Sequence, residues 1–310
     1  MSYAKILKEE IALLKLDSKE NLAELSAFLN LNGEIVIQSD GTFIDFKTSS
    51  PTVAKRFLIL VKTLYNSETT IITKKEEKFK RKYSLIVRVK TNVNQILSEH
   101  HLLDTTTNER ELLLFDYETK MAYLRGAFLA SGSVNDPKKS EYHLEVFSIS
   151  SNEIVFLQKI MNHFDLNAKI TKRRNGLIVY LKNQETICDF IRIIGGQKSF
   201  FDFQDYIIHR DFNNSINRVI NCELANEKKI LDNANQQLKE IAVIEKNIKG
   251  VNLSDKLVKV MTLRKENRDV SLKDLVDIYE KKYNEPITKS GLNHRFARIK
   301  EIAYEILSNK

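Results

Sequence analysis

The sequence predicts an α+β protein in which a duplicated α-β-β-α-β-β-α unit with pseudo-twofold symmetry is followed by an all-α helix-turn-helix domain. Three observations carry this prediction. Two apolar helical segments, 25–33 and 124–132, share one pattern of small and large residues, and each ends in glycine. The chain after each segment repeats the same order of helical and strand-like spacing. The residues from about 253 onward show helical periodicity alone.

The duplication rests on pairs of residues that recur at a fixed offset. Apolar positions of the first unit match those of the second: Phe57 with Phe156, Val61 with Ile160, Tyr65 with Phe164. The strand-like run 85–90 also resembles 177–182, although the first copy has a longer hairpin before it. The units are therefore placed at about 19–100 and 119–195, within a domain spanning 1–200.

The elements of each unit follow from local signals. An amphipathic helix over 3–16 precedes the first unit. Asp40-Gly41 predicts the turn of its first hairpin, and Pro51 predicts the first turn of its middle helix. A mainly helical connector is expected over 201–250, because residues 213–247 contain neither Gly nor Pro.

Composition limits the classes of function. The chain has 310 residues, 42% of them hydrophobic, with a net charge of +8 and a pI near 9.2. This charge favours a polyanionic partner, usually nucleic acid, although lysine bias in an AT-rich genome would have the same effect.

The two cysteines, Cys188 and Cys222, suit a reducing cytosol and predict neither a disulfide framework nor a zinc site. No apolar run approaches a membrane span, and His100 and His101 are expected on the surface.

The C-terminal domain, 251–310, has the pattern of a helix-turn-helix. Ser271 and Asp274 have capping-box spacing before the second helix, and Pro286 follows its end. In the third helix the apolar residues recur at steps of four and three: Leu292, Phe296, Ile299, Ala303, Ile306. Polar side chains lie off this stripe and are the predicted DNA-binding residues: Lys289, Ser290, Asn293, His294, Arg295, Arg298. Such groups can hydrogen-bond base edges in a major groove; the alternative is a structural three-helix cap with a solvated face.

The duplicated unit resembles the LAGLIDADG homing endonucleases. In that family two motif helices pack at the pseudo-twofold axis through small residues, here Ser26, Ala27, Gly126 and Ala127. The eighth position of each motif is an acid that holds divalent metal in the nucleases, whereas Asn32 and Ser131 stand there in this chain. An amide or a hydroxyl can contribute a ligand, but neither supplies the charge with which carboxylates hold a hard cation. We therefore expect no catalytic residues, no metal site, no cofactor and no enzymatic activity.

Basic residues cluster on the second hairpin of each unit and are possible contacts to the DNA backbone. The set comprises Lys78, Lys80, Arg81 and Lys82 in the first unit, and Lys172, Arg173 and Arg174 in the second. Equivalent placement in two repeats suits a surface that contacts phosphates. Ordinary solvated hairpin tips, or a domain that now binds protein or a small ligand, are the alternatives.

A degenerate LAGLIDADG domain joined to a helix-turn-helix resembles the WhiA family of bacterial sporulation and cell-division regulators. The most specific segments are 123–134, 217–226 and 288–295. The resemblance implies a cytoplasmic, nucleoid-associated transcriptional regulator that binds double-stranded DNA, lacks nuclease activity and contacts no membrane, with other regulators or the transcription machinery as further partners. An active homing endonuclease or maturase, and a division- or chromosome-associated adaptor acting through protein contacts, are the rival interpretations.

Overall fold

The chain forms two compact units, Met1–Arg210 and Asp211–Lys310. The computed structural model describes residues 2–75, 83–103, 114, 116–139, 141–173, 175–247 and 253–308. Within these residues, no helix combines the length and the apolar character needed to cross a lipid bilayer.

The first unit contains two copies of one order of elements, after the short helix α1 (Tyr3–Ile11). The first copy comprises α2 (Ser18–Asn32), β1 (Gly33–Gln38), β2 (Gly41–Thr48), α3 (Pro51–Tyr65), β3 (Thr69–Lys75), β4 (Tyr83–Val89) and α4 (Val93–Glu99). The second comprises α5 (Tyr117–Ser131), β5 (Gly132–Val134), β6 (Leu144–Ser148), α6 (Ser151–His163), β7 (Lys169–Arg173), β8 (Gly176–Leu181) and α7 (Gln184–Ile193).

Each copy forms its own four-stranded antiparallel sheet, and the strand order is the same in both. The orders are β1-β2-β4-β3 and β5-β6-β8-β7. The edge strand β5 pairs with β6 over three residues, whereas β1 pairs with β2 over six. Identical topology in two successive segments confirms the predicted duplication and the α+β class.

Equivalent caps start equivalent helices. The Ser50 and Ser150 hydroxyls accept hydrogen bonds from the third backbone N–H of α3 and of α6. At α2, Asp17 and Glu20 form a reciprocal capping box, with donor–acceptor distances of 2.8 and 3.1 Å. Such caps satisfy N–H groups that have no partner inside the helix, so the sequence fixes where these helices begin.

The motif helices α2 and α5 pack against each other through small side chains. Ser26, Ala27 and Ala127 are buried there. A Cβ atom on Gly126 would lie 2.4 Å from the backbone oxygen of Glu24 in α2. The two backbones therefore approach too closely for any side chain at position 126, in agreement with the predicted helix pair.

Two expectations for the first unit are wrong. The N-terminal helix ends at Ile11 and not at residue 16, because the Leu14 carbonyl accepts a hydrogen bond from the Arg56 guanidinium while Leu13 is exposed. His100 is fully buried, and its Nε2 atom lies 3.1 Å from the Tyr65 hydroxyl. Burial lowers the pKa of His100 to about 4, so the ring is neutral at physiological pH.

In the described residues of the second unit, every regular element is a helix. The long helix α8 (Gln197–Lys246) enters it and is followed by α9 (Asp255–Glu266), α10 (Leu272–Tyr283) and α11 (Lys289–Ser308). The core of the unit includes Ile241, Val260, Leu275, Leu292 and Ile299. Every helix thus contributes to one small core, as a helix-turn-helix domain requires.

Candidate nucleic-acid interface

Residues 284–288 form the turn between α10 and α11, and local contacts fix it. Asn284 ends α10 in the left-handed region, at φ 50°. The buried Ile287 then anchors the turn, and its N–H donates to the Glu280 carboxylate at 3.1 Å. The Thr288 hydroxyl accepts from the Gly291 N–H at 3.0 Å and so caps α11. These contacts hold the start of α11 in one orientation.

Helix α11 buries one stripe and exposes polar groups near its N-terminus. Leu292, Phe296, Ile299 and Ala303 are buried, as the spacing predicts. Ser290, Asn293 and His294 are exposed. Together with α8 residues such as Asn233 and Gln236 they line a cavity of about 460 Å³. The first turns of α11 therefore present hydroxyl, amide and imidazole groups at an open surface.

Arg295 lies on the other side of α11, where it contacts α10. It is half-buried, its Nη1 atom donates to the Tyr279 hydroxyl at 2.8 Å, and its guanidinium lies 5.2 Å from the centre of the Tyr279 ring. The Tyr279 hydroxyl in turn donates to Glu285, 3.0 Å away. Lys259 and Tyr279 together hold the pKa of the Glu285 carboxyl below its usual range. This network fixes α10 relative to α11.

Arg298 and Lys289 occupy different electrostatic surroundings. The Arg298 guanidinium donates to Glu301 at 2.7 Å and lies 4.0 Å from Glu305, which raises the pKa of Arg298. Lys289 is exposed in the first turn of α11. The positive charge of Arg298 is thus partly compensated by its own helix, whereas Lys289 lies beside further lysines of the same unit.

Asn32 and Ser131, which stand where the LAGLIDADG nucleases have acids, form hydrogen bonds that fix the ends of the motif helices. The Asn32 amide donates to the Lys47 carbonyl at 3.2 Å and to the Ala130 carbonyl at 3.1 Å. The Ser131 hydroxyl donates to the Phe147 carbonyl at 2.7 Å. Each side chain ties its motif helix to the second strand of its own sheet, and Asn32 also reaches the other motif helix.

These donor groups do not fit a divalent cation. Asn32 and Ser131 use their N–H and O–H groups for backbone carbonyls and carry no charge, whereas Mg²⁺ is held by carboxylates. Glu34 lies on β1 and pairs with Lys47. Among the described residues, no three His, Cys, Asp or Glu side chains cluster closely enough to hold a metal ion.

The structure describes two of the seven basic hairpin residues predicted to contact the DNA backbone. Lys172 and Arg173 lie exposed on β7, and Arg173 pairs with the Glu145 carboxylate of the same sheet. The remaining candidates fall outside the described residues: Lys78, Lys80, Arg81, Lys82, Arg174. In the first sheet Asp45, the acid at the position equivalent to Glu145, pairs instead with Arg88 of β4 at 2.8 Å.

Sequence reasoning missed a buried ionic cluster between the motif helices. Glu24 is fully buried and accepts two hydrogen bonds from the Arg56 guanidinium, at 2.7 and 2.9 Å. Arg125 approaches the same carboxylate at 3.7 Å and donates to the Ile194 carbonyl at 2.8 Å. The available signal was a charged residue at the start of each motif segment, with Glu24 directly before the first and Arg125 second in the other.

Three family models match the chain in succession. They are described as "WhiA N-terminal LAGLIDADG-like domain" for residues 18–103, "WhiA LAGLIDADG-like domain" for residues 120–213 and "WhiA C-terminal HTH domain" for residues 216–303. Together they follow both copies of the duplicated unit and the helical unit after them.

Two relatives and one solved structure match this chain over nearly its full length. A "Probable cell division protein WhiA" from Lactobacillus gasseri is 40% identical over 311 residues, covering 99% of this chain and 98% of the relative. A protein of the same name from Staphylococcus carnosus is 39% identical, covering 100% and 99%. The crystal structure of "full-length DUF199/WhiA from Thermatoga maritima" is 26% identical with a TM-score of 0.61, covering 98% of both chains. The chain, with its paired motif helices and its helix-turn-helix, belongs to the WhiA family.

Proposed function

We propose that this protein is a bacterial transcriptional regulator that binds double-stranded DNA in the cytoplasm, acts in the control of cell division and has no nuclease activity. The observation that carries the proposal is the start of α11, where Ser290, Asn293 and His294 project as exposed hydrogen-bonding groups from a helix fixed by its turn. The cell-division names of the relatives support the biological setting.

The geometry suggests different roles for the six predicted residues. Ser290, Asn293 and His294 are the best placed to reach base edges, because an amide or imidazole on an exposed recognition helix can read the major groove. Lys289 suits a phosphate contact. Arg295 is a positioning residue in this proposal, since its guanidinium contacts Tyr279 of α10. Arg298 is the weakest candidate, because Glu301 already pairs with it.

Replacing Asn293 and His294 by alanine should remove sequence preference more than general affinity. We expect a loss of about 1–3 kcal/mol for each base contact removed on a specific duplex, with little change on a random one. The specific site is first selected from random duplexes with the full chain, and the affinities are then measured by fluorescence anisotropy. Tyr304→Ala is the matched control, because Tyr304 is 73% exposed on the same helix, beyond the first turns.

A double variant whose specific-to-random affinity ratio equals that of the wild type would contradict base readout by this face. A control that loses the ratio to the same extent would assign the effect to helix stability. Selection that enriches no sequence, together with equal affinity for all duplexes, would favour the adaptor interpretation instead.

The protein should leave plasmid and linear DNA intact in Mg²⁺ or Mn²⁺. The reason is that Asn32 and Ser131 supply no carboxylate and already bond to carbonyls. Incubation with supercoiled plasmid, followed by gel analysis for nicked and linear forms, checks this. The double variant Asn32→Asp/Ser131→Asp, which restores both acids, serves as the comparison. Metal-dependent nicking by the unaltered chain would overturn the proposal if Asn32→Ala abolished that nicking.

A further inference from the structure

The second unit contains a basic groove that adjoins the exposed face of α11 described above. The groove has a volume of about 420 Å³ and is lined by α8, by the segment between α9 and α10, and by the start of α11. Four cationic side chains line it: Lys229, Arg264, Lys273 and Lys289. As far as the structure describes it, the lining contains no Asp or Glu. Asn226 and Ser271 add neutral polar groups.

Arg264 at this groove is a buried cation whose hydrogen bonds go to neutral acceptors. It is 1% exposed. Its Nε donates to the Gln237 amide oxygen at 2.9 Å, and its Nη1 donates to the carbonyls of Asn267 and Val270 at 3.2 and 2.7 Å. Within the described part of the chain, Arg264 makes no ion pair with a carboxylate. By contrast, the buried Arg56 of the first unit pairs with Glu24.

An uncompensated buried guanidinium is costly, because burial removes the water that stabilises its charge. The same burial lowers the pKa of Arg264 to about 10, with no neighbouring acid to oppose the shift. An anion in the groove would supply the missing charge. The three lysines are exposed at the rim and can turn toward such an anion, whereas Arg264 is held in place by its three acceptors.

The start of α10 adds a second source of positive potential. Ser271 caps this helix of 12 residues, and its hydroxyl accepts from the Asp274 N–H at 3.2 Å while donating to the Asp274 carboxylate at 2.7 Å. Lys273 lies in the first turn. The N-terminal end of a helix carries partial positive charge and favours an anion nearby. This contribution supplements the four cations and does not replace them.

We propose that the groove lined by Lys229, Arg264, Lys273 and Lys289 binds a phosphate group. Phosphate is the anion that suits this set, because the buried Arg264 guanidinium supplies a fixed positive charge while each exposed ammonium group can donate to a phosphate oxygen. The inference rests on the proposed DNA-binding function for its first source of ligand, the DNA backbone. The second source is a free small phosphate compound.

The first arm of the test uses the exposed lysines, whose replacement should leave the fold intact. Lys229→Gln/Lys273→Gln removes two charges from the groove. Lys256→Gln/Lys281→Gln is the control, because it removes two exposed charges of the same unit that do not line the groove.

The affinity of each full-length variant for a random duplex is measured over a range of salt concentrations. Each lost phosphate contact should flatten the slope of log affinity against log salt by about 0.9. We expect that change in the groove variant, a smaller one in the control, and an unchanged specific-to-random ratio in both.

The second arm uses inorganic pyrophosphate and isothermal titration calorimetry, in the absence of DNA. A saturable site that is lost in Lys229→Gln/Lys273→Gln and kept in the control would place a free phosphate compound in the groove. Arg264→Gln should flatten the salt slope in the first arm and abolish pyrophosphate binding in the second, and its melting temperature reports whether it folds. The lysine variants decide the question if it does not.

The two arms of the test distinguish the DNA backbone from a free phosphate compound as the ligand of the groove. A selective change of slope with no pyrophosphate binding supports a contact to the DNA backbone, and a selective loss of pyrophosphate binding supports a small ligand. Equal behaviour of groove and control variants in both arms overturns the phosphate site, even if the wild type binds DNA. A wild type that binds no duplex refutes the proposed function, while the pyrophosphate arm still decides the groove.

Discussion

Glu24→Gln should strongly destabilise the first unit. The substitution keeps the size and shape of the side chain but removes the charge that faces Arg56 at 2.7 Å and Arg125 at 3.7 Å. Both guanidiniums would stay buried without a counter-charge, and breaking a buried ion pair from one side costs about 3–5 kcal/mol. For a unit of this size, that cost lowers the melting temperature by roughly 6–20 °C. Differential scanning calorimetry of the full chain measures it.

The matched control is Glu34→Gln. Glu34 also pairs with a cation, Lys47, but both side chains are about half exposed. An exposed ion pair contributes about 0–1 kcal/mol, so the control should melt within a few degrees of the wild type. Equal shifts for the two variants would show that the cluster of Glu24, Arg56 and Arg125 does not stabilise the contact between the motif helices.

The parts of the fold predicted well are those that depend on local signals and on repetition. The turn between β1 and β2 is at Ser39-Asp40, one residue before the predicted Asp40-Gly41, and Pro51 is the first residue of α3. The repeat of sequence predicted two copies of one topology correctly, but the pairing of Phe57 with Phe156 is one residue out, because the caps Ser50 and Ser150 and the buried residues of α3 and α6 differ by 100. Local chemistry and periodicity act over a few residues, so a single sequence contains the information.

The parts that were missed depend on partners distant in sequence. Hydrophobic patterns treat charged and titratable residues as surface, which is why Glu24 and His100 were not expected in the core. Glu24 is buried because Arg56 reaches it from another helix, and His100 because Tyr65 packs beside it.

Distant partners also determine the surroundings of two arginines in the second unit. The position of Arg295 off the buried stripe indicated a free side chain, yet Tyr279 of α10 accepts its hydrogen bond. Arg264 is buried through acceptors on α8 and on the segment after α9. Only three-dimensional contacts separate a cation that is available to a ligand from one that holds two helices together.

Gly126→Ala should destabilise the protein although alanine is the better helix former. The added Cβ would lie 2.4 Å from the Glu24 backbone oxygen and 3.0 Å from the Ala27 Cβ. A backbone atom cannot rotate away as a side chain can, so α2 and α5 must separate along their contact. Overpacking of a well-packed core costs typically about 1–3 kcal/mol, and this exceeds the gain of up to about 1 kcal/mol in helix propensity. Gly126→Leu should have a larger effect of the same sign.

Gly291→Ala is the control that separates the steric effect of an added Cβ atom from the gain in helix propensity. Gly291 is also helical, but the nearest atom to an added Cβ is the Thr288 hydroxyl at 3.4 Å, an ordinary contact. Its backbone N–H, which donates to Thr288, is unaffected by the change. This variant should therefore melt at the wild-type temperature or above it, while Gly126→Ala melts below. Both measurements use calorimetry of the full chain. If Gly126→Ala also melts at or above the wild-type temperature, the motif helices can separate at little cost, and close backbone contact is not what holds the two copies of the unit together.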